Sequence, residues 1–125
     1  MPKQTALQRA QLREQAEQRA QEQEAAWQAC KHERLIQALA QAHNLNMPAQ
    51  VYMRYDDVVY YHFRFEDVTY SDPVVELSEH MMSVIEQALM EIKQDRERKQ
   101  ALRQVYDDLM QELSPEQQEA LRLFQ

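Results

Sequence analysis

Residues that could bind a metal or carry out catalysis are scattered through this 125-residue sequence. Cys30 and His32 lie two residues apart in a helix-forming stretch, so their side chains point to different helix faces. His43, His62 and His80 have no other histidine or cysteine at the spacing that metal ligands use. The sequence therefore predicts no metal site and no cofactor.

The candidates for acid–base and nucleophilic chemistry are equally isolated. The pairs Asp56/Asp57 and Asp107/Asp108 fall in a turn and on a wet helix face, where nothing apolar would raise a carboxyl pKa. The chain contains no glycine, which excludes the standard P-loop, the dinucleotide fingerprint, the EF-hand loop and the nucleophile elbow. We expect a protein that is not an enzyme, unless residues distant in sequence converge.

Acidic residues are concentrated in the middle of the chain. Segment 44–92 holds nine of the 21 acidic residues and only Arg54 and Arg64 as basic ones, and the formal net charge of the chain is -7. The acidic residues of the expected turns are Asp56, Asp57, Glu66 and Asp67. They are either solvated turn residues or an acidic surface that docks a basic protein partner.

A second candidate surface is the outward face of the predicted strands. Its members are Tyr52, Arg54, Tyr60, His62 and Arg64. Tyrosine and arginine are enriched at protein-binding hot spots because each combines a large contact area with hydrogen bonding. The same side chains could stack on the bases of single-stranded nucleic acid, or they could simply shield a small sheet.

A basic cluster follows in the second half of the chain. It comprises Lys93, Arg96, Arg98, Lys99 and Arg103, interrupted by Asp95 and Glu97. At helical spacing the acidic residues can pair with the basic ones, which predicts a salt-bridged solvated helix. The alternative is a nucleic-acid contact through phosphates.

The elements that position these residues follow from the period of the apolar positions. Residues 3 to about 43 are strong helix formers, with an apolar stripe from Trp27 onward: Trp27, Cys30, Leu35, Ile36, Ala38, Leu39 and Ala42. Within residues 50–70, Val51, Met53 and Tyr55, and then Val59, Tyr61, Phe63 and Phe65, alternate with polar or amphipathic residues. That period of two predicts two strands, or three with Val68–Tyr70, each with one buried face.

Two further helices complete the prediction. Ser71, Asp72 and Pro73 are expected to start a long helix, with a capping side chain followed by proline at the first helical position, and this helix passes through the basic cluster. Ser114, Pro115 and Gln117 are expected to start a last short helix carrying Ala120, Leu121 and Phe124. The fold class is α+β: long helix, two- or three-stranded antiparallel hairpin or meander, long helix, short C-terminal helix.

Residues 1–24 are expected to form a helical extension, either mobile or oligomer-forming, and residues 25–125 a single α+β domain. A second copy could pack as a coiled coil against Ala10, Ala16 and Ala20, or it could complete the small sheet, so we expect a homodimer. No apolar run approaches the roughly 20 residues that span a bilayer. No signal-peptide core is visible, so we expect a cytoplasmic protein without membrane contact.

The functional expectation is a small, acidic, non-enzymatic protein-binding factor, such as an inhibitor or regulator of a larger protein. It would dock through the strand face and the acidic turns. The alternative is a nucleic-acid-associated factor that uses the Arg/Tyr strands and the basic segment 93–103.

Overall fold

A computed structural model describes residues 5–123 and confirms the α+β order of elements. Helix α1 spans Ala6–Asn44, and strands β1, β2 and β3 span Ala49–Met53, Val59–Phe65 and Val68–Pro73. A single 3-10 turn, Val74–Glu76, precedes helix α2 at Glu79–Glu112 and helix α3 at Pro115–Leu123. The expected helical positions 3 and 4, and Phe124 in the last helix, lie outside the described residues.

Helix α1 begins and ends with standard signals. The Thr5 hydroxyl accepts a hydrogen bond from the Gln8 backbone N–H (3.2 Å), and the Gln8 side chain accepts one from Thr5 N–H (2.9 Å), which is a capping box. Past its end, Asn46 adopts a left-handed conformation (φ 57°), as asparagine often does after a helix. The buried residues of α1 begin at Trp27, and residues 6–26 are exposed.

The three strands form an antiparallel meander in the order β1-β2-β3. We call the face that carries Tyr61, Phe63 and Phe65 the inner face, because these three side chains are buried. The opposite, outer face carries Tyr60, His62 and Arg64 of the same strand, since successive side chains alternate. The sheet thus has one face that forms the core and an opposite face that carries the predicted binding residues of β2.

The described chain divides into two compact units at the boundary Glu86/Gln87. The core of the first unit is built from residues of α1, β2, the segment just before α2 and the start of α2. Its buried side chains include Trp27, Leu35, Ala38, Ala42, Tyr61, Phe63, Phe65, Leu77, Met82 and Ile85. The second unit contains the remainder of α2 and α3, whose capping box joins Ser114 and Gln117 as expected.

A polar cluster ties α1 to Leu77, just before α2, and to the first turns of α2. The Trp27 indole N–H donates to the carbonyl of Leu77 (3.2 Å). Arg34 bonds to the carboxylate of Glu86, lies 3.6 Å from that of Glu79, and stacks 5.2 Å from the Trp27 ring centre. The hydrogen bond to Glu86 is the main reason that the pKa of Arg34 is raised above its ordinary value. Helix packing in the first unit is therefore directional as well as apolar.

The expected start of the second helix is wrong. β2 offers seven residues for pairing, so β3 continues through Ser71 and Asp72 until Pro73 lies opposite Tyr60. α2 starts at Glu79 instead, where the Ser78 hydroxyl accepts a hydrogen bond from Met81 N–H (3.1 Å) and caps the helix.

The expected burial is also wrong at several positions. Ile36 is 65% exposed, although the periodicity placed it in the apolar stripe of α1. Val51 and Met53 are 42% and 63% exposed, and Tyr55 lies beyond the end of β1. Val59 is exposed as well. The period assigned most of these side chains to one face, but it does not show how far the covering helices reach.

None of the helices within residues 5–123 is both long and apolar enough to cross a membrane.

Candidate functional site

Three side chains on the outer face form one stacked cluster, which we call the Tyr/Arg cluster: Tyr52, Arg54 and Tyr60. The rings of Tyr52 and Tyr60 are stacked, with centres 5.7 Å apart and planes inclined by 16°. The Arg54 guanidinium lies 4.1 Å from the Tyr60 ring centre and 5.8 Å from that of Tyr52. Its Nη2 donates a hydrogen bond to the Tyr52 hydroxyl (3.2 Å). Each member therefore holds the other two in place.

The strand register produces this arrangement. Tyr52 on β1 lies directly opposite Tyr60 on β2, and side chains of such cross-strand neighbours touch. Arg54 is on the same face two positions further along the chain, and its N–H donates to the carbonyl of Val58 across the hairpin (3.1 Å). A slip of one residue would move these side chains to the other face.

The cluster lowers the pKa of Tyr52. The Arg54 guanidinium, and next the Ser71 hydroxyl, hydrogen-bond to the Tyr52 oxygen and thereby hold its pKa below the ordinary tyrosine value. The same bond raises the pKa of Arg54. Tyr52 and Arg54 thus behave as one polarised pair at the surface.

The other expected members of the strand face lie beside the Tyr/Arg cluster without joining it. His62 is half-buried between Gln50 and Ser71, and Arg64 is exposed opposite Thr69. The remaining register position of the outer face is Pro73. At none of the described strand positions does this face carry a carboxylate, so its charge is cationic.

The acidic turns lie at opposite ends of β2. Asp56 and Asp57 belong to the β1–β2 turn, beside Arg54, and Glu66 and Asp67 form the two-residue β2–β3 turn. A strand of this length separates the two turns by roughly 20 Å. Sequence alone grouped these four carboxylates, but the fold distributes them as two separate acidic points flanking a cationic face.

The acidic residues also determine the conformation of the turns that carry them. Asp56 accepts a hydrogen bond from Val58 N–H (3.2 Å), which fixes the β1–β2 turn. Asp57 and Glu66 have positive φ angles of 59° and 37°. Glycine is normally preferred at such positions, and this chain has none. The acidic side chains are thereby carried on well-defined turns.

The structure adds an apolar groove that the sequence did not indicate. It has a volume of about 630 Å³ and lies between α1, the β1–β2 hairpin and the 3-10 turn. Its apolar lining is Leu35, Ile36, Leu39, Val51, Val58, Val59, Val74 and Val75, with His32 and Asp57 as polar members. The period predicted several of these residues as core, and no sequence signal distinguishes a covered apolar face from an open one.

The basic cluster of α2 is partly neutralised by its own helix. Asp95 lies 3.0 Å from Arg98 and 2.9 Å from Lys99. Hydrogen bonding to Lys99, in the main, lowers the pKa of Asp95. Lys93, Arg96 and Arg103 lie on the same helix. The expected salt-bridged helix is therefore present in the second unit around Asp95.

The single cysteine contacts the backbone of its own helix. The Cys30 thiol lies 3.5 Å from the Trp27 carbonyl of its own helix. Between residues 5 and 123, no group of three His, Cys, Asp or Glu side chains is placed to hold a metal ion.

No protein-family model matches the sequence, and neither a curated protein nor a solved structure shows significant similarity to the chain.

Proposed function

We propose that this protein is a small, acidic, non-enzymatic binding factor that docks on a larger protein and acts there as an inhibitor or regulator. The docking surface is the outer face of the sheet, with the Tyr/Arg cluster at its centre and an acidic turn at each end. The observation that carries the proposal is the ordering of Tyr52, Arg54 and Tyr60 against one another at the surface.

Such ordering favours protein binding for an energetic reason. Association costs about 0.5–1.5 kcal/mol for each long side chain that must be immobilised, and stacked side chains have already met part of that cost. Tyrosine and arginine are also among the residues that are enriched at binding hot spots. A guanidinium stacked on a ring keeps donors at its edge for a partner's carboxylate or carbonyl.

The two acidic turns give the surface an electrostatic signature. Their carboxylates flank the cationic face at both ends, so the complementary partner surface has basic points around an acidic or polar centre. Opposite charges at the rim mainly speed association and fix orientation. Neutralising Asp56, Asp57, Glu66 and Asp67 together is expected to slow association and flatten its salt dependence.

Nucleic acid is the second candidate, favoured by the two stacked tyrosine rings and the absence of a carboxylate at the described strand positions of the outer face. The net charge of -7 opposes it, because a polyanion would be repelled by the chain as a whole. The pairing of Asp95 with Arg98 and Lys99 weakens the other basic surface.

The test compares Tyr60→Ala with Thr69→Ala, which lies on the same outer face away from the cluster. Partners captured by in-cell crosslinking with the parent chain are purified, and their affinities are measured by titration calorimetry. Tyr60→Ala is expected to weaken binding by roughly 30-fold, a hot-spot loss, and Thr69→Ala to leave it within about twofold.

Two results would contradict the proposal. Equal affinity of the parent and Tyr60→Ala chains would remove the cluster from the interface. Retention on heparin at ~50 mM salt, with a steep loss of binding on adding salt, would favour the nucleic-acid function instead.

A further inference from the structure

The strand β1 has one free hydrogen-bonding edge. Arg54 N–H donates to Val58 and Arg64 N–H donates to Pro48, so the even-numbered residues of β1 pair with β2. In an antiparallel ladder, the residues between them direct their backbone groups to the other side. The N–H and C=O groups of Val51 and Met53 therefore face away from β2, and the described sheet has no strand beyond β1.

This edge lacks the features that usually protect an edge strand. Strands are commonly shielded from further pairing by proline, lysine or an inward-pointing charge. β1 has the sequence AQVYM, with none of these. By contrast, the other edge strand, β3, carries Asp72 on the inner face and ends at Pro73. The free edge of β1 is thus the sheet edge that is open to strand addition.

Apolar surface continues from the same edge. Val51 and Met53 are partly exposed on the inner face, and Ile36 is exposed on α1. Val51 and Ile36 also line the apolar groove described above. An added strand with apolar side chains at alternate positions would extend the inner face beside this groove, and β1 itself is such a strand.

We propose that a second copy of this chain pairs through β1 with β1, antiparallel, about a two-fold axis at Tyr52. Val51 of one copy then lies opposite Met53 of the other, and their free N–H and C=O groups satisfy one another. Ala49 is left out of this pairing because its carbonyl already lies 2.8 Å from His43 Nε2. The two sheets become one, and the two Tyr/Arg clusters lie on one continuous outer face.

Separation of like charges favours the antiparallel arrangement of two copies. A parallel pairing would bring the two Asp56–Asp57 turns together. The antiparallel register instead places each acidic turn beside the stretch 44–50 of the other copy, which has no charged residue and follows His43. Like charges are separated, as a stable interface needs.

This inference goes beyond the proposed function, gives a geometry to the homodimer expected from the sequence, and fails separately from the docking surface. Loss of the dimer with retained partner binding would reject only the β1 pairing. A dimer in which Tyr60→Ala has no effect on partner binding would reject only the docking surface.

Disulfide crosslinking tests the register in a Cys30→Ser background, which removes the chain's single cysteine. At the two-fold axis, Tyr52→Cys brings two Cα atoms to about 4.5 Å, within disulfide range. The matched control is Gln50→Cys, on the same face of β1, whose two copies would be about 14 Å apart. Rapid crosslinking of Tyr52→Cys alone is expected. Equal crosslinking of both variants, or of neither, would overturn the register.

The second test measures the mass of the assembly in solution and asks, independently of the crosslinking, whether the free edge of β1 forms the dimer. Val51→Pro removes an outward N–H and leaves the pairing with β2 intact, since proline is tolerated at such edge positions. Thr69→Pro is the matched control, because its N–H faces outward on β3. Sedimentation equilibrium should show a dimer for the parent and Thr69→Pro chains and at least about tenfold weaker association for Val51→Pro. A monomeric parent, or a Val51→Pro dimer of unchanged affinity, would overturn the proposal.

Discussion

The guanidinium of Arg54 lies 4.1 Å from the centre of the Tyr60 ring, and the same side chain donates to the Tyr52 hydroxyl. A cation over a ring face is attracted by the negative potential of that face. The hydrogen bond to Tyr52 also orients the guanidinium, because it determines which of its N–H donors remain available to a binding partner. The charge on this part of the outer face is therefore held at a defined position above two rings.

Arg54→Met is expected to return the pKa of Tyr52 towards its ordinary value of 10.0. Methionine preserves an unbranched apolar side chain but donates no hydrogen bond to the phenolate. The pKa is measured by NMR titration of the Tyr52 ring signals. The matched control, Arg64→Met, removes the other arginine of the strand face and should leave the Tyr52 titration in place. An unshifted Tyr52 in Arg54→Met would contradict the observed hydrogen bond.

Neighbouring residues of α1 are expected to differ sharply in their contribution to stability. Leu35 is 4% exposed and Ile36 is 65% exposed. Leu35→Ala should lower the free energy of unfolding by about 2–5 kcal/mol, the usual cost of emptying a core position. Ile36→Ala should change it by less than about 0.5 kcal/mol.

The single tryptophan, Trp27, is buried and allows denaturant unfolding to be followed by fluorescence. Submicromolar protein keeps any association of copies out of the measurement. Similar losses for Leu35→Ala and Ile36→Ala would mean that both residues are covered, as the periodicity alone predicted.

Much of the fold could be predicted because local signals agree with the tertiary structure. The change of period from helical spacing to alternation located the strands, and Ser114 with Gln117 located the last helix. The outward set of side chains also followed from alternation: Tyr52 and Tyr60 do share one face, and Arg54 joins them.

The remaining features depend on long-range pairing, which the sequence pattern does not contain. Ser71 and Pro73 have the residue types of a helix start, yet β2 is long enough to hold them in the sheet. Val51 alternates correctly for a buried position, yet it lies at an edge that the described residues leave open. The Tyr/Arg cluster could not be predicted without the register of β1 against β2, because it joins residues on both sides of a turn.

Substituting glycine in the β2–β3 turn is expected to stabilise the sheet. Glu66 holds a positive φ of 37°, which costs a residue with a side chain about 1–2 kcal/mol relative to glycine. Part of that gain is lost to the greater entropy of the unfolded chain, so Glu66→Gly should raise the free energy of unfolding by about 0.5–1 kcal/mol. Asp67→Gly, at the next position without a positive φ, is the control and should lower it. Stabilisation by both changes, measured in urea, would contradict the turn geometry.

The stability of the first unit is expected to fall in alkali because of Tyr61. Burial, and secondly the carboxylate of Asp72 at 3.3 Å, raise its pKa to about 12. In the unfolded chain the pKa is about 10, so between these values the unfolded chain loses a proton that the folded chain retains. The stabilisation from this group is complete below the unfolded pKa and is lost as the pH rises through the folded pKa.

Over this alkaline range, the unfolding free energy of Tyr61→Phe should therefore decline less steeply than that of the parent chain. Asp72→Asn should flatten it only slightly, because burial is the larger cause and remains. Denaturant titrations at a series of pH values measure both variants against the parent. A Tyr61→Phe chain with the same alkaline decline as the parent would show that other groups control it, and a larger effect of Asp72→Asn would reverse the order of the two causes.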